Sequence, residues 1–219
     1  VSGEADYEEY ATFLPNDTLK RQLKEIGNIE FKLTGDGNMN SMMVENLEIY
    51  TQSLAEAKFS GRIENLNDTE NLRYDVKIHH ITTGYQDAAI FVDSLPDMVA
   101  KFDTLSYVGT AVGDLYDIKL DGGFRTSLGN INTDIAVEFT PEYDNATYQG
   151  VLTLEEFQLG NLLDNDSLGV ISAELRVDGR GMETSDLETE INALISKVEY
   201  NNYVYEDIAL DGFVNGMMF

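Results

Sequence analysis

Apolar and polar residues alternate with period two through most of this chain, and that spacing constrains its fold class more than any other feature. Ile29, Phe31 and Leu33 alternate with Glu30, Lys32 and Thr34. Leu72, Tyr74, Val76 and Ile78 alternate with Arg73, Asp75, Lys77 and His79, and Tyr116, Ile118 and Leu120 with Asp117, Lys119 and Asp121. The same phase returns in Ile131–Phe139, Tyr148–Leu154, Ile171–Val177 and Ile208–Leu210. A strand of this kind buries one face and wets the other. That implies antiparallel sheet, because parallel strands are covered on both faces and read as unbroken apolar runs. The expected class is mostly all-β, with hairpin turns at Asp36-Gly37-Asn38, Asp121-Gly122-Gly123, Leu128-Gly129-Asn130 and Asp178-Gly179-Arg180-Gly181.

Two short helices interrupt the strands, each opened by a Leu-Pro pair. After Leu14-Pro15, residues Leu19, Leu23 and Ile26 share one side; after Leu95-Pro96, Met98, Val99 and Phe102 do the same. Each is expected to plug or cover a sheet. The hexapeptide Asp117–Gly122 returns as Asp207–Gly212, and Leu14-Pro15 as Leu95-Pro96. The spacing predicts imperfect repeats of roughly 80–90 residues, which stack into an elongated body rather than two closed domains. The division expected is an unassigned stretch 1–13, a degenerate β repeat 14–94 and a second repeat 95–219 continuous with it. The opening Val1 and the strand-like ending Met217-Met218-Phe219 read as a segment of a longer protein.

Composition excludes several kinds of chemistry. Acidic residues outnumber basic ones 40 to 14, and a formal charge of −26 repels nucleic acid and anionic headgroups. With no cysteine there is no thiolate nucleophile and no Cys-ligated metal. The two histidines, His79 and His80, are adjacent, and neighbours on an unbroken strand face opposite ways, so they do not form one site. No Gly-x-Ser-x-Gly elbow supplies a serine nucleophile, and no tryptophan supplies a sugar-stacking platform. Asp36-Gly37-Asn38-Met39-Asn40 and Asp164-Asn165-Asp166 place oxygens at alternate positions. The first has Ser41 and Leu47 where a calcium loop has glycine and glutamate, so both read as turns. No run reaches the ~18–20 apolar residues of a membrane helix. What remains is the apolar face itself, either filled by its own side chains or open to an apolar ligand.

Residues 95–212 resemble the TamB family in its Bacteroidetes form. The resemblance rests on an ordered series: Leu95-Pro96, Leu105-Ser106-Tyr107-Val108-Gly109, Gly122-Gly123-Phe124-Arg125-Thr126-Ser127-Leu128-Gly129, Tyr148-Gln149-Gly150, Phe157–Leu163, Val177–Gly181 and Tyr200–Gly212. TamB-type proteins belong to the translocation and assembly module and are related to AsmA-type and bridge-like lipid-transfer proteins. The resemblance implies an elongated, curled β-groove with an aliphatic lining, no catalytic residue and no cofactor. It also implies a periplasmic location, an inner-membrane anchor outside this segment, and an Omp85-type outer-membrane partner. The cargo would be phospholipid or outer-membrane protein client. Carried onto the strand phase, the lining expected is Ile118, Leu120, Ile131, Ile135, Val137, Leu152, Leu154, Leu175, Val177, Ile208 and Leu210. A uniformly aliphatic lining would let a bound chain slide. The competing expectation is a secreted or surface β-sandwich, an adhesin or structural module, with that face filled.

Overall fold

The alternating segments pair edge to edge in the order in which they occur. The computed structural model describes residues 2–5, 24, 28–51, 56–84, 97–142, 144–182 and 186–216. Within them lie β1 (Ser2–Ala5), β2 (Ile29–Asn38), β3 (Ser41–Thr51), β4 (Glu56–Glu64), β5 (Arg73–Gly84) and β6 (Thr104–Gly113). They are followed by β7 (Asp117–Thr126), β8 (Gly129–Phe139), β9 (Ala146–Gln158), β10 (Leu168–Arg180), β11 (Glu188–Tyr200) and β12 (Tyr203–Asn215). All twelve form one antiparallel sheet whose strand order is the sequence order, and the sheet does not close on itself. The chain is therefore mostly all-β, as its periodicity requires. The boundary expected near residue 94 falls between β5 and β6, which pair along their length.

Six-residue copies at 117–122 and 207–212 both fall in strands, but in different settings. Asp207 takes a left-handed φ of 57°, which Asp117 does not, and the two copies run in opposite directions, because five antiparallel pairings separate β7 from β12.

Glu45-Asn46 on β3, Ser60 on β4, His79-His80 on β5 and Val108 on β6 mark one line of register shifts. Glu155-Glu156 on β9, Ser172 on β10 and Ser196-Lys197 on β11 mark the other, which Glu206-Asp207 continues on β12. Glu156 takes a left-handed φ of 47°, and its N–H donates to Ser172 Oγ at 3.1 Å. A bulge bends its strand and adds local twist. Ser60, Val108 and Ser172 each stand singly between two apolar-face residues, so β4, β6 and β10 keep strict alternation, and the extra residue on β3, β5, β9 and β11 returns its own strand to the apolar face beyond the line.

Two glycine groups expected in turns lie inside strands. Gly122 is central in β7, and Gly179 is near the end of β10, where Asp178 pairs with Gln149 and Glu190. Their small size serves close packing on the sheet face, not a reversal of the chain. The chain does turn at Met39-Asn40, where Asn38 Oδ1 accepts the N–H groups of Asn40 (2.9 Å) and Ser41 (3.3 Å). It turns again beside Gly129, whose φ is 138°.

The first expected helix, with Leu19, Leu23 and Ile26, lies outside the described residues. The second is a six-residue 3-10 helix, Asp97–Phe102, not an α-helix. It ends at Asp103, whose left-handed φ of 56° turns the chain into β6 before an α-helical turn can propagate. A short helix that the alternation did not signal, α1 (Leu159–Leu163), connects β9 to β10. The two are latched together. Lys101 Nζ donates to the carbonyls of Asn161 (3.2 Å) and Leu162 (2.9 Å) and pairs with Asp164 at 2.6 Å, capping the C-terminal end of α1 with positive charge. Ser127 Oγ donates to the carbonyls of Lys101 and Phe102. Phe102 then packs against the buried cluster of Leu128, Phe157, Ile171 and Ala173.

Gly61 exposes the cost of such close strand approach. Its φ is 145°, and a Cβ there would sit 2.2 Å from Asp75 O and 2.6 Å from Val76 Cα. Gly61→Ala is expected to destabilise the chain by about 1–3 kcal/mol, the range for forced backbone strain; urea unfolding followed by circular dichroism measures it.

Candidate functional site

Cross-strand register carries the apolar face from one side of the sheet to the other. One ladder runs Leu33, Leu47, Phe59, Ile78, Gly109, Gly122, Thr133, Leu152, Leu175, Ala193 and Leu210, each directly opposite the next. Beside it run Val44, Gly61, Val76, Ala111, Leu120, Ile135, Gly150, Val177, Ile191 and Gly212. On one flank lie Ile81, Tyr107, Phe124, Ile131, Leu154, Ala173, Ile195 and Ile208; on the other, Tyr74, Gly113, Ile118, Val137, Tyr148, Gly179, Thr189 and Val214. With strands spaced ~4.8 Å apart, the two central ladders extend for about 45–50 Å and the flanking two for about 35 Å.

All eleven residues expected to line a ligand surface lie on this one face. Ile131, Leu154 and Ile208 share a ladder; so do Leu152, Leu175 and Leu210, then Leu120, Ile135 and Val177, and finally Ile118 and Val137. None is fully buried. The nine on β7 to β10 are half-buried, whereas Ile208 and Leu210 on β12 are 37% and 49% exposed.

No Asp, Glu, Lys, Arg or His stands in these four ladders; the ionisable residues of the same strands point the other way. On that polar face Glu48 accepts from Lys58 (2.9 Å) and Asn46 (3.3 Å), and these bonds hold its carboxyl below the usual range. A solvent-open depression of about 450 Å³ also lies on the polar face, among Lys119, Glu138, Gln149 and Asp178. Its charged rim surrounds Val112 and Ala136, which stand on either side of Lys119 on that face.

The apolar face is not uniformly aliphatic, which corrects the expectation of a featureless slide. Tyr107, Phe124, Phe157 and Tyr148 share it with Thr133 and Thr189, which are 6% and 5% exposed. The hydroxyls are spoken for. Tyr148 and Thr189 share a hydrogen bond of 2.5 Å, Thr133 donates to Gly122 O at 3.3 Å, and Tyr107 to Thr110 O at 3.4 Å. Burial pushes the Tyr107 phenol up, partly offset by a hydrogen bond with the Thr133 side chain. The readable signal was the strand phase of Tyr148 with Gly150 and of Tyr107 with Gly109; aliphatic counting alone passes over it.

Part of the face is sealed by its own side chains. Ile78, Tyr107 and Ala111 form a buried cluster with Phe124 and Leu120 against it, and the Leu128–Phe157–Ile171–Ala173 cluster seals the flank beneath α1. Ile118, Ile135, Val137, Leu152, Val177 and Ile191 belong to neither and stay half-buried.

The histidines depart from the simple alternation. Because β5 bulges at this point, His79 and His80 both fall between the apolar-face residues Ile78 and Ile81 and share the polar side. They nevertheless go to different partners. His79 Nε2 meets Ser60 Oγ at 2.8 Å and His80 Nε2 meets Glu56 Oε1 at 3.0 Å. Among the described residues no group of three His, Cys, Asp or Glu side chains converges on a metal position. Asp164 is the left-handed cap of α1, and Asn165 Oδ1 accepts Ser167 N–H at 2.9 Å, so this acidic stretch forms a turn.

No family model matches the chain, and no curated protein or solved structure matches it either.

Tyr74 offers a probe of the face. Burial, and secondarily the Asp114 carboxylate, push its phenol from the ordinary 10 to about 12. The folded chain therefore keeps that proton to higher pH than the unfolded chain. The contribution to stability is complete below pH 10 and is lost as pH rises towards 12. In unfolding titrations Tyr74→Phe should flatten the fall across that window relative to the parent chain.

Proposed function

We propose that this chain is a non-enzymatic segment of a TamB-like envelope protein, and that its apolar face shields phospholipid acyl chains crossing the periplasm. The observation that supports this reading is the set of four cross-strand ladders, free of Asp, Glu, Lys, Arg and His over about 35 Å and half-open across β7 to β11. Burying a methylene from water gains ~0.8 kcal/mol, and an acyl chain needs no polar partner along its length. An extended polypeptide laid on the same surface would bring peptide groups. The hydroxyls there are already bonded to one another or to the backbone, so those groups would be left unsatisfied. In this reading the bulge lines curl the sheet into an elongated groove built from imperfect repeats, and the anionic polar face keeps the body away from anionic headgroups. The inner-membrane anchor outside the segment and the Omp85-type partner come from the resemblance to TamB proteins.

Native mass spectrometry with solvent extraction is the test. Phospholipid adducts are expected on the parent chain and should be absent from Ile135→Asp while its circular dichroism is retained. Unfolding of Ile135→Asp, together with a clean unliganded mass for the parent, would indicate a structural module whose apolar face is filled instead; the single open sheet already departs from the two-sheet sandwich expected for such a module.

A second reading, capture of an unfolded outer-membrane strand, is favoured by β12. Its Tyr203, Val204, Tyr205, Leu210 and Phe213 are all exposed, and among the described residues it pairs with β11 alone. A sheet edge of this kind accepts an added strand through main-chain hydrogen bonds. Photo-crosslinkers at Val204 and Phe213 should then trap client polypeptide; trapping only lipid would remove this reading.

A further inference from the structure

Two tyrosines on the apolar face use the same device. Tyr148 on β9 stands opposite Gly179 on β10, which stands opposite Thr189 on β11. The phenol passes over the bare glycine to bond the threonine, and a Cβ on Gly179 would come within 2.6 Å of Thr189 Oγ1. Tyr107 on β6 lies over two glycines at once. Gly109 and Gly122 face each other, and a Cβ on either would come within 2.6 Å or 2.8 Å of the Tyr107 hydroxyl. Beyond Gly122 is Thr133, the counterpart of Thr189.

A pair of facing glycines leaves a slot in the side-chain layer of a sheet. Here the slot would carry the half-open bay of Ile135, Leu152, Val177 and Ile191, past the buried Thr133, to Ile78 and Phe59 on the far side. The Tyr107 ring fills it. The ring is only 5% exposed, packs against Phe124 at 4.6 Å between centroids, and is held at its tip by Thr110 O. Ile78 behind it is 4% exposed, so the surface past the ring is closed.

We infer that Tyr107 is a specificity-determining stop: by filling the Gly109–Gly122 slot it ends the bay and limits the length of acyl chain that the face holds. This rests on the acyl-chain reading above. A chain entering the bay runs along the ladders until it meets the Tyr107 ring, and longer chains leave methylenes in water. Removing the ring opens a slot whose floor is two glycines and whose far wall is Ile78 and Phe59.

The experiment measures binding of decanoyl, lauroyl, myristoyl, palmitoyl and stearoyl lysophosphatidylcholine to the whole chain by calorimetry, for the parent, Tyr107→Ala and Tyr107→Leu. Circular dichroism and thermal melting verify folding, and Tyr107→Leu keeps apolar bulk near the strand should the alanine variant not fold. For the parent, affinity should rise with chain length and then level off. In the variants the plateau should move to longer chains, with about tenfold tighter binding of the longest, the gain from burying two further methylenes. An unchanged length profile in a folded variant would overturn the stop while leaving acyl binding intact. If the parent binds no chain of any length, the acyl-chain reading itself fails, and the stop with it.

Discussion

Everything in this sheet depends on keeping register across successive antiparallel pairings. A slip of one residue in any strand would exchange its apolar and charged faces. The four ladders hold from β5 to β12 because each two-residue departure from period two is set against a single residue of a regular neighbour or, from β11 to β12, against a second departure in step with it. Glu45-Asn46, Ser60, His79-His80 and Val108 form one such series, and Glu155-Glu156, Ser172, Ser196-Lys197 and Glu206-Asp207 the other. The left-handed Glu156 and Asp207 are the backbone cost of that matching.

Given register, the two faces divide the physical work. The polar face carries the acidic excess and dissipates it in solvent and in cross-strand pairs such as Lys119 with Asp134 and Arg180 with Glu188. Exposed pairs of this kind each contribute little, so cohesion falls to the backbone ladder and to two apolar clusters. One cluster centres on Ile78, Tyr107 and Ala111; the other lies under Phe102 and α1, where Lys101 ties two short helical pieces together. Between them the face stays half-open.

Much of this was legible in the amino-acid order. Alternation identified antiparallel strands and put the eleven residues expected to form a lining on one face, because the phase of a strand is a local property. What local phase lacks is knowledge of neighbours. Gly122 and Gly179 read as turn residues, yet they lie in strands where a tyrosine must cross. The adjacency of His79 and His80 suggested opposite faces, but a bulge forced by β4 and β6 put both on the same one. The segment after Pro96 had helical spacing but only six residues before Asp103 reversed the backbone. Helix α1, five residues long, is too short for periodicity to register and is held by Lys101 from 60 residues away.

The paired bulge lines also restrict how such a protein can change over evolutionary time. A single inserted or deleted codon within a strand would break its register with both neighbours and turn one row of side chains inside out. Gain or loss of a complete hairpin preserves the alternation of strand direction and both faces. Lengthening of this architecture should therefore proceed by whole hairpins, with its loops free to drift and its strands nearly fixed in residue count.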